Sequence, residues 1–245
     1  MKIDNLFLIQ GIFVLIFVFL TMFIGILIIS KYFKYYQKNL IFVGIAWLGM
    51  AAPWTPELIT FFIVITNANI NNDVGIFIYI FLNILIVPIF ITLWLIAFTN
   101  LLSLKKKIRS LILILSVIFS IVLDVTVFYF YFTNLSLIGK FSGPFMIEWT
   151  LTINVILIIC LLIILTTGLL FAKASLKSST LEIKLKGKLL LIAFILYAIG
   201  AVIDAVLTDL ISNVISRSIL AVSSILFYIG YILPEWAKNM LLKKE

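Results

Sequence analysis

Long apolar runs broken by short polar gaps fill this chain from end to end. A bilayer-crossing helix needs about 20 apolar residues at 1.5 Å each to match a hydrocarbon core of about 30 Å. Seven stretches reach that length, over residues 6–30, 40–66, 75–102, 110–133, 148–172, 188–208 and 217–237. The pattern predicts an all-α polytopic membrane protein, a seven-transmembrane-helix bundle forming one domain over residues 1–245. The first run is too long for a signal peptide, and Lys31-Tyr32-Phe33-Lys34 follows it where a cleavage site would have small residues. It is read as the first span. The gaps leave no room for a soluble catalytic, nucleotide-binding or DNA-binding domain, and no internal repeat is visible.

Charge orients the bundle. Fifteen of the eighteen Lys and Arg residues fall in every second gap: Lys31, Lys34 and Lys38; Lys105, Lys106, Lys107 and Arg109; Lys173, Lys177, Lys184, Lys186 and Lys188; Lys238, Lys243 and Lys244. Only Lys2, Lys140 and Arg217 fall on the other side. Short cytoplasmic loops retain Lys and Arg, so the N-terminus is expected outside and the C-terminus in the cytoplasm of a multi-pass cell-membrane protein. The net charge of +8 then reads as topology and contact with anionic lipid, not as a nucleic-acid surface. At 64% hydrophobic and 11% charged residues, the lipid bilayer is the partner the composition requires.

Two absences narrow the chemistry. The chain has no His, which removes imidazole haem ligation, His-bound zinc or copper and Ser-His-Asp catalysis. Its single Cys, Cys160, sits in an apolar run and reads as a small buried hydrophobe. No cofactor or metal site is expected. Residues 218–237 contain no Lys, which excludes a retinal Schiff base in the last span.

Function, if legible, lies in the polar groups inside the spans. Pro53-Trp54-Thr55-Pro56-Glu57 puts two prolines in the second span, where they remove two backbone donors and predict a kink or unwound segment. Pro88 predicts a milder bend in the third, and Pro53, Pro56 and Pro234 are the candidate hinges. An intramembrane carboxylate costs about 2.5–3.5 kcal/mol on insertion scales, so Glu57, Asp124 and Asp204 each need a reason. From the helix rise, Asp124 and Asp204 lie roughly 21 and 24 Å from the cytoplasmic edge, and Glu57 is similarly deep. Ser116, Ser120 and Asp124 recur on one helix face, as do Tyr197, Ala201 and Asp204, and Ser224, Tyr228 and Tyr231. Such faces point into a bundle or a water-filled cavity. The expectation is an outward-opening anionic pocket of Glu57, Asp124 and Asp204, with Asn83, Trp54 and Tyr197 beside it. Arg217, bracketing the sixth-to-seventh loop with Asp209, is its internal cation. Each carboxylate alone could instead reach headgroup water or serve as interhelical glue. The outer loop, residues 134–147, reads as turns around Gly139, Gly143 and Pro144.

The outside-in topology, Ala46-Trp47…Pro53-Trp54, and Phe227-Tyr228-Ile229-Gly230-Tyr231 before Pro234-Glu235-Trp236 resemble the seven-span sensor region of prokaryotic histidine kinases and stand-alone microbial seven-span proteins. The resemblance implies a sensor that binds a small molecule or lipid outside. It also implies an output domain after the last span. The sequence here runs to Glu245, so a separate cytoplasmic signalling partner is the expectation. The alternative is a small-solute or cation-coupled transporter or channel whose carboxylates titrate along the path. An enzyme fits less well. Leu123-Asp124 and Gly200-Ala201-Val202-Ile203-Asp204 lack the Tyr-Asp and Gly-x-Gly-Asp of aspartyl intramembrane proteases, and no nucleophile–base pair for lipid chemistry is visible.

The charge pattern makes a direct prediction. In a Cys160→Ser background, a cysteine at Lys140 reacts with an impermeant maleimide on intact cells, whereas one at Lys107 reacts only after permeabilisation. The reverse pattern would invert the topology.

Overall fold

A computed structural model describes residues 5–68, 71–143, 146–207 and 210–242. Lys2, Lys243 and Lys244 of the charge pattern, together with Pro144 and Asp209, lie outside them. The fold is all-α with one small hairpin. Among the described residues seven helices are long and apolar enough to cross a membrane: α1 (Phe7–Tyr35), α2 (Lys38–Thr66), α3 (Asn72–Leu101), α4 (Lys106–Thr133), α5 (Leu151–Leu176), α6 (Leu181–Val206) and α7 (Ile211–Ile232). A short α8 (Glu235–Leu241) follows.

Four departures from the sequence reading have physical causes. Helix α6 starts at Leu181 rather than near 188, because Glu182, Lys184 and Lys186 continue the helix beyond its apolar part. The start beside Ser179-Thr180-Leu181-Glu182 is where a capping box would put it, yet the Thr180 side chain makes no cap bond. The Thr180 N–H donates to Ser178 Oγ instead, at 3.2 Å. Helix α7 covers 211–232 rather than 217–237, so Arg217 stands inside a helix and not at a loop. Leu233 turns left-handed at φ 50° and Pro234 then opens α8, so Pro234 separates two helices instead of hinging one. The outer loop is not turns alone: β1 (Gly139–Gly143) and β2 (Met146–Trp149) pair antiparallel, Lys140 opposite Glu148.

Both proline segments break their helices. Helix α2 runs regularly to Gly49, passes through a 3₁₀ turn at Ala52–Trp54 and resumes at Thr55. Helix α3 carries a π-helical turn at Phe81–Leu85 just before Pro88, with the Ile86 N–H donating to Phe81 O, 3.0 Å away. Pro88 cannot donate to the Ile84 carbonyl, and the wide turn absorbs that lost bond.

Cross-bundle bonds fix the arrangement. Helix α1 packs on α2 and α7, α2 on α3, α3 on α5, α5 on α6 and α6 on α7, which closes a ring of six. Helix α4 stands outside that ring and packs chiefly on α3. Hydroxyls tie neighbours together: Thr21 to Ser224 at 2.9 Å (α1–α7), Ser223 to the Ala193 carbonyl at 2.8 Å (α7–α6) and Thr92 to Ser116 at 2.6 Å (α3–α4). The Trp94 indole donates to Thr167 Oγ1 at 2.8 Å, joining α3 to α5. Helices α1 and α2 approach closely at Gly25 and Gly44. A Cβ on Gly44 would lie 2.8 Å from the Gly25 carbonyl oxygen. Small residues permit such backbone approach, which drives helix association in lipid.

Gly44→Ala must therefore push α1 away from α2, costing about 1–3 kcal/mol as overpacking does. The exposed Val125→Ala should change stability by about 0.5 kcal/mol or less. Thermal unfolding of the two variants in one detergent compares them.

Candidate functional site

The break in α2 creates a helix N-terminus inside the bundle, and Glu57 sits in its first turn. Unpaired N–H groups and the macrodipole favour a carboxylate there. Asp204 has the opposite situation. It lies in the last turn of α6, which ends at Val206, where the dipole disfavours negative charge. Its compensation comes from other helices. The Trp54 indole N–H donates to Asp204 Oδ2 at 2.7 Å, and Ser216 Oγ donates to Oδ1 at 2.8 Å.

Arg217 joins the two acids. Its Nη2 donates to Glu57 Oε2 at 2.6 Å and stands 3.3 Å from Asp204 Oδ1. The Arg217 side chain is only 2% exposed, against 31% for Glu57 and 15% for Asp204. A guanidinium this deep is tolerable only if paired, and two carboxylates on one nitrogen supply that. Yet Nε and Nη1 of Arg217 are buried without a hydrogen-bond partner among the described residues. Tyr79, buried on α3, interacts electrostatically with all three charges. The cluster thus holds two acids and one base, a formal excess of one negative charge, from α2, α6 and α7.

An aromatic floor lies beneath it. Trp54 meets Phe17 edge-on at 5.1 Å and Tyr197 at 6.3 Å, and Trp47 stacks on Phe227 at 3.5 Å. The Tyr197 hydroxyl donates to the Met50 carbonyl at 3.2 Å, within the stretch that the α2 break frees. A break in a membrane helix survives where protein satisfies its carbonyls, and here α6 does so. Pro53 lies within the 3₁₀ turn and Pro56 in the first turn of the helix that resumes at Thr55, where the expected bend is.

Of the expected site residues, Glu57, Asp204, Arg217, Trp54 and Tyr197 come together. Asp124 does not. It is carried by α4, which packs outside the ring that brings Glu57, Asp204 and Arg217 together, and among the described residues its Oδ1 is buried without a partner. On the Ser116–Ser120–Asp124 face, Ser116 and Ser120 do point into the protein, but what they meet is Thr92 of α3, the ring helix on whose outer side α4 packs. The common pocket of three carboxylates is therefore a cluster of two. Asn83 also serves elsewhere: it is buried in the π-turn of α3, its amide donating to the Tyr79 carbonyl at 3.0 Å. Ser216 is the cluster member the sequence reading missed. The adjacency of Ser216 to Arg217 was the one available signal.

No family model matches this chain, and no curated protein or solved structure matches it.

Removing the cation strands two acids, so Arg217→Gln should cost about 3–5 kcal/mol. Adding Glu57→Gln and Asp204→Asn to it should recover part of that loss, because no charge is then unpaired. Asp124→Asn should change stability by about 1 kcal/mol or less. Melting temperatures of the four proteins in nanodiscs check the order.

Proposed function

We propose that this chain is a membrane sensor, with its N-terminus outside and C-terminus in the cytoplasm. Its responsive element is the Glu57–Arg217–Asp204 cluster near the outer face. The observation that carries this reading is that the broken stretch of α2 is held to α6 and α7 through one buried Arg and the Trp54–Asp204 bond. A polar or cationic group from an external small molecule or lipid competes with Arg217 for the carboxylates. Releasing either acid frees α2 at its weakest point. A ligand shifts such a bundle only by binding two arrangements unequally, and the break supplies an element able to have two.

The response passes down α2 and α7 to the basic loops and α8. There Lys238 pairs with Glu182 of α6, an exposed contact suited to signalling through a separate cytoplasmic partner. The resemblance to kinase sensor regions supports the same role. The aromatic floor under the cluster favours a sensor over a carrier, since a carrier needs a polar route past Trp54, Tyr197, Trp47 and Phe227.

Flux separates the two readings. Proteoliposomes given Na⁺, K⁺ or proton gradients should leak no faster with the wild-type protein than empty vesicles do. A wild-type flux that Glu57→Gln abolishes would replace the sensor with a carrier.

A further inference from the structure

A second surface lies at the opposite end of the bundle, where α7 gives way to α8. Gly230 of α7 abuts Leu189 and Leu190 of α6. Lys188, just before them, is the last charged residue ahead of an uncharged run that lasts to Ile203. The two helices therefore leave the hydrocarbon at the level of Gly230. Trp236 lies six residues further on, no more than about 9 Å at the helical rise. That is headgroup depth, since headgroups add roughly 5–8 Å to each side of the apolar core.

Helix α8 has two unlike faces. Glu235, Lys238 and Asn239 make an exposed polar one. Trp236 and Met240, one turn apart, are 57% and 61% exposed on another, while Ala237 beside them is buried against the bundle. A charge pair ties α8 to the start of α6. Lys238 Nζ donates to Glu182 Oε2 at 2.5 Å, and Lys186 Nζ stands 3.9 Å from Glu182 Oε1. Two cations share one acid, so this corner keeps an excess of positive charge beside exposed apolar side chains. Trp is favoured where its ring meets acyl chains and its polar edge meets headgroups. An apolar helix face with Lys alongside suits an anionic leaflet. A protein covering the same flank would have to displace the lipid that already stands at this depth.

We infer that α8 is a membrane-surface helix: Trp236 and Met240 enter the cytoplasmic leaflet, and Lys186 and Lys238 meet the phosphates of anionic lipids beside them. From the proposed function this takes only the cytoplasmic placement of α8, which names the leaflet. Sensing at the charge cluster is not required.

The full chain with Cys160→Ser, carrying Met240→Cys or Glu235→Cys labelled with nitrobenzoxadiazole, is placed in nanodiscs of phosphatidylcholine with or without phosphatidylglycerol. Lipid brominated high on its acyl chains quenches a fluorophore within the leaflet, and acrylamide quenches one in water. With phosphatidylglycerol present, bromolipid should quench the label at position 240 and not that at 235, and acrylamide the reverse. Without it, or with Lys186→Gln and Lys238→Gln together, acrylamide should reach position 240 about 5-fold more readily, the weight of one Lys at an anionic surface. Glu182→Gln breaks the charge pair but leaves both cations, so position 240 should stay shielded in anionic discs. The proposal is overturned if acrylamide and not bromolipid quenches position 240 in anionic discs, or if phosphatidylglycerol makes no difference. Exposure by Glu182→Gln equal to that of the double Lys variant overturns it too, as does shielding from both quenchers, the mark of a protein-covered flank. Nanodisc quenching is indifferent to which way the chain is inserted, so a topology error, read by the maleimide pair, is told apart from failure here.

Discussion

A positive charge buried in a low-dielectric bundle must have a negative partner, and most of this architecture answers to that need at Arg217. The guanidinium is nearly inaccessible, and its two acids arrive from two other helices, Glu57 from 160 residues earlier and Asp204 from the helix just before. Neither acid is placed by hydrophobic packing alone. Glu57 is there because the prolines end one helix and start another. Asp204 is there because Trp54, on that same broken stretch, and Ser216, beside the Arg, hold it at the end of α6. Remove the cation and three helices lose their common point. The break and the ion cluster are thus one construction.

What surrounds that construction is soft in one place and firm in others. The α1–α2 contact is set by backbone approach at Gly25 and Gly44, and the α6–α7 and α1–α7 contacts by buried hydroxyls. Helix α4 is different, standing outside the ring with Thr92, Ser116 and Ser120 as its polar tie to α3. The 3₁₀ turn of α2 packs directly on the π-turn of α3, so the two irregular segments meet in one place.

The helices were legible because a bilayer-length apolar run is a strong signal, and every one of the seven expected stretches has a long helix over it. Their ends were less so. Hydropathy marks where side chains become polar, whereas α6 stays helical through Glu182 and Lys186. The broken α2 was readable from Pro53 and Pro56, since two prolines three positions apart remove two donors from one stretch of helix. The π-turn before Pro88 was not, because one proline is compatible with several local responses. Glu57, Asp204 and Arg217 could be grouped by depth and chemistry. Depth could not reveal that α4 sits outside the ring, so Asp124 was assigned to the wrong neighbours. The hairpin escaped for a related reason: Gly139 and Gly143 suggest turns, while β pairing depends on Lys140 and Glu148 lying opposite one another.

The closed ring has a temporal side. A ribosome delivers α2 long before α7, and Glu57 precedes its cation by 160 residues. At ordinary synthesis rates of about 5–20 residues per second, that delay is roughly 10–30 s. During it the nascent chain holds an acid whose counter-charge does not yet exist, and α1 waits with one flank uncovered. The arrival of α7 settles both at once, so a chain interrupted before it would be left open-sided and electrostatically incomplete.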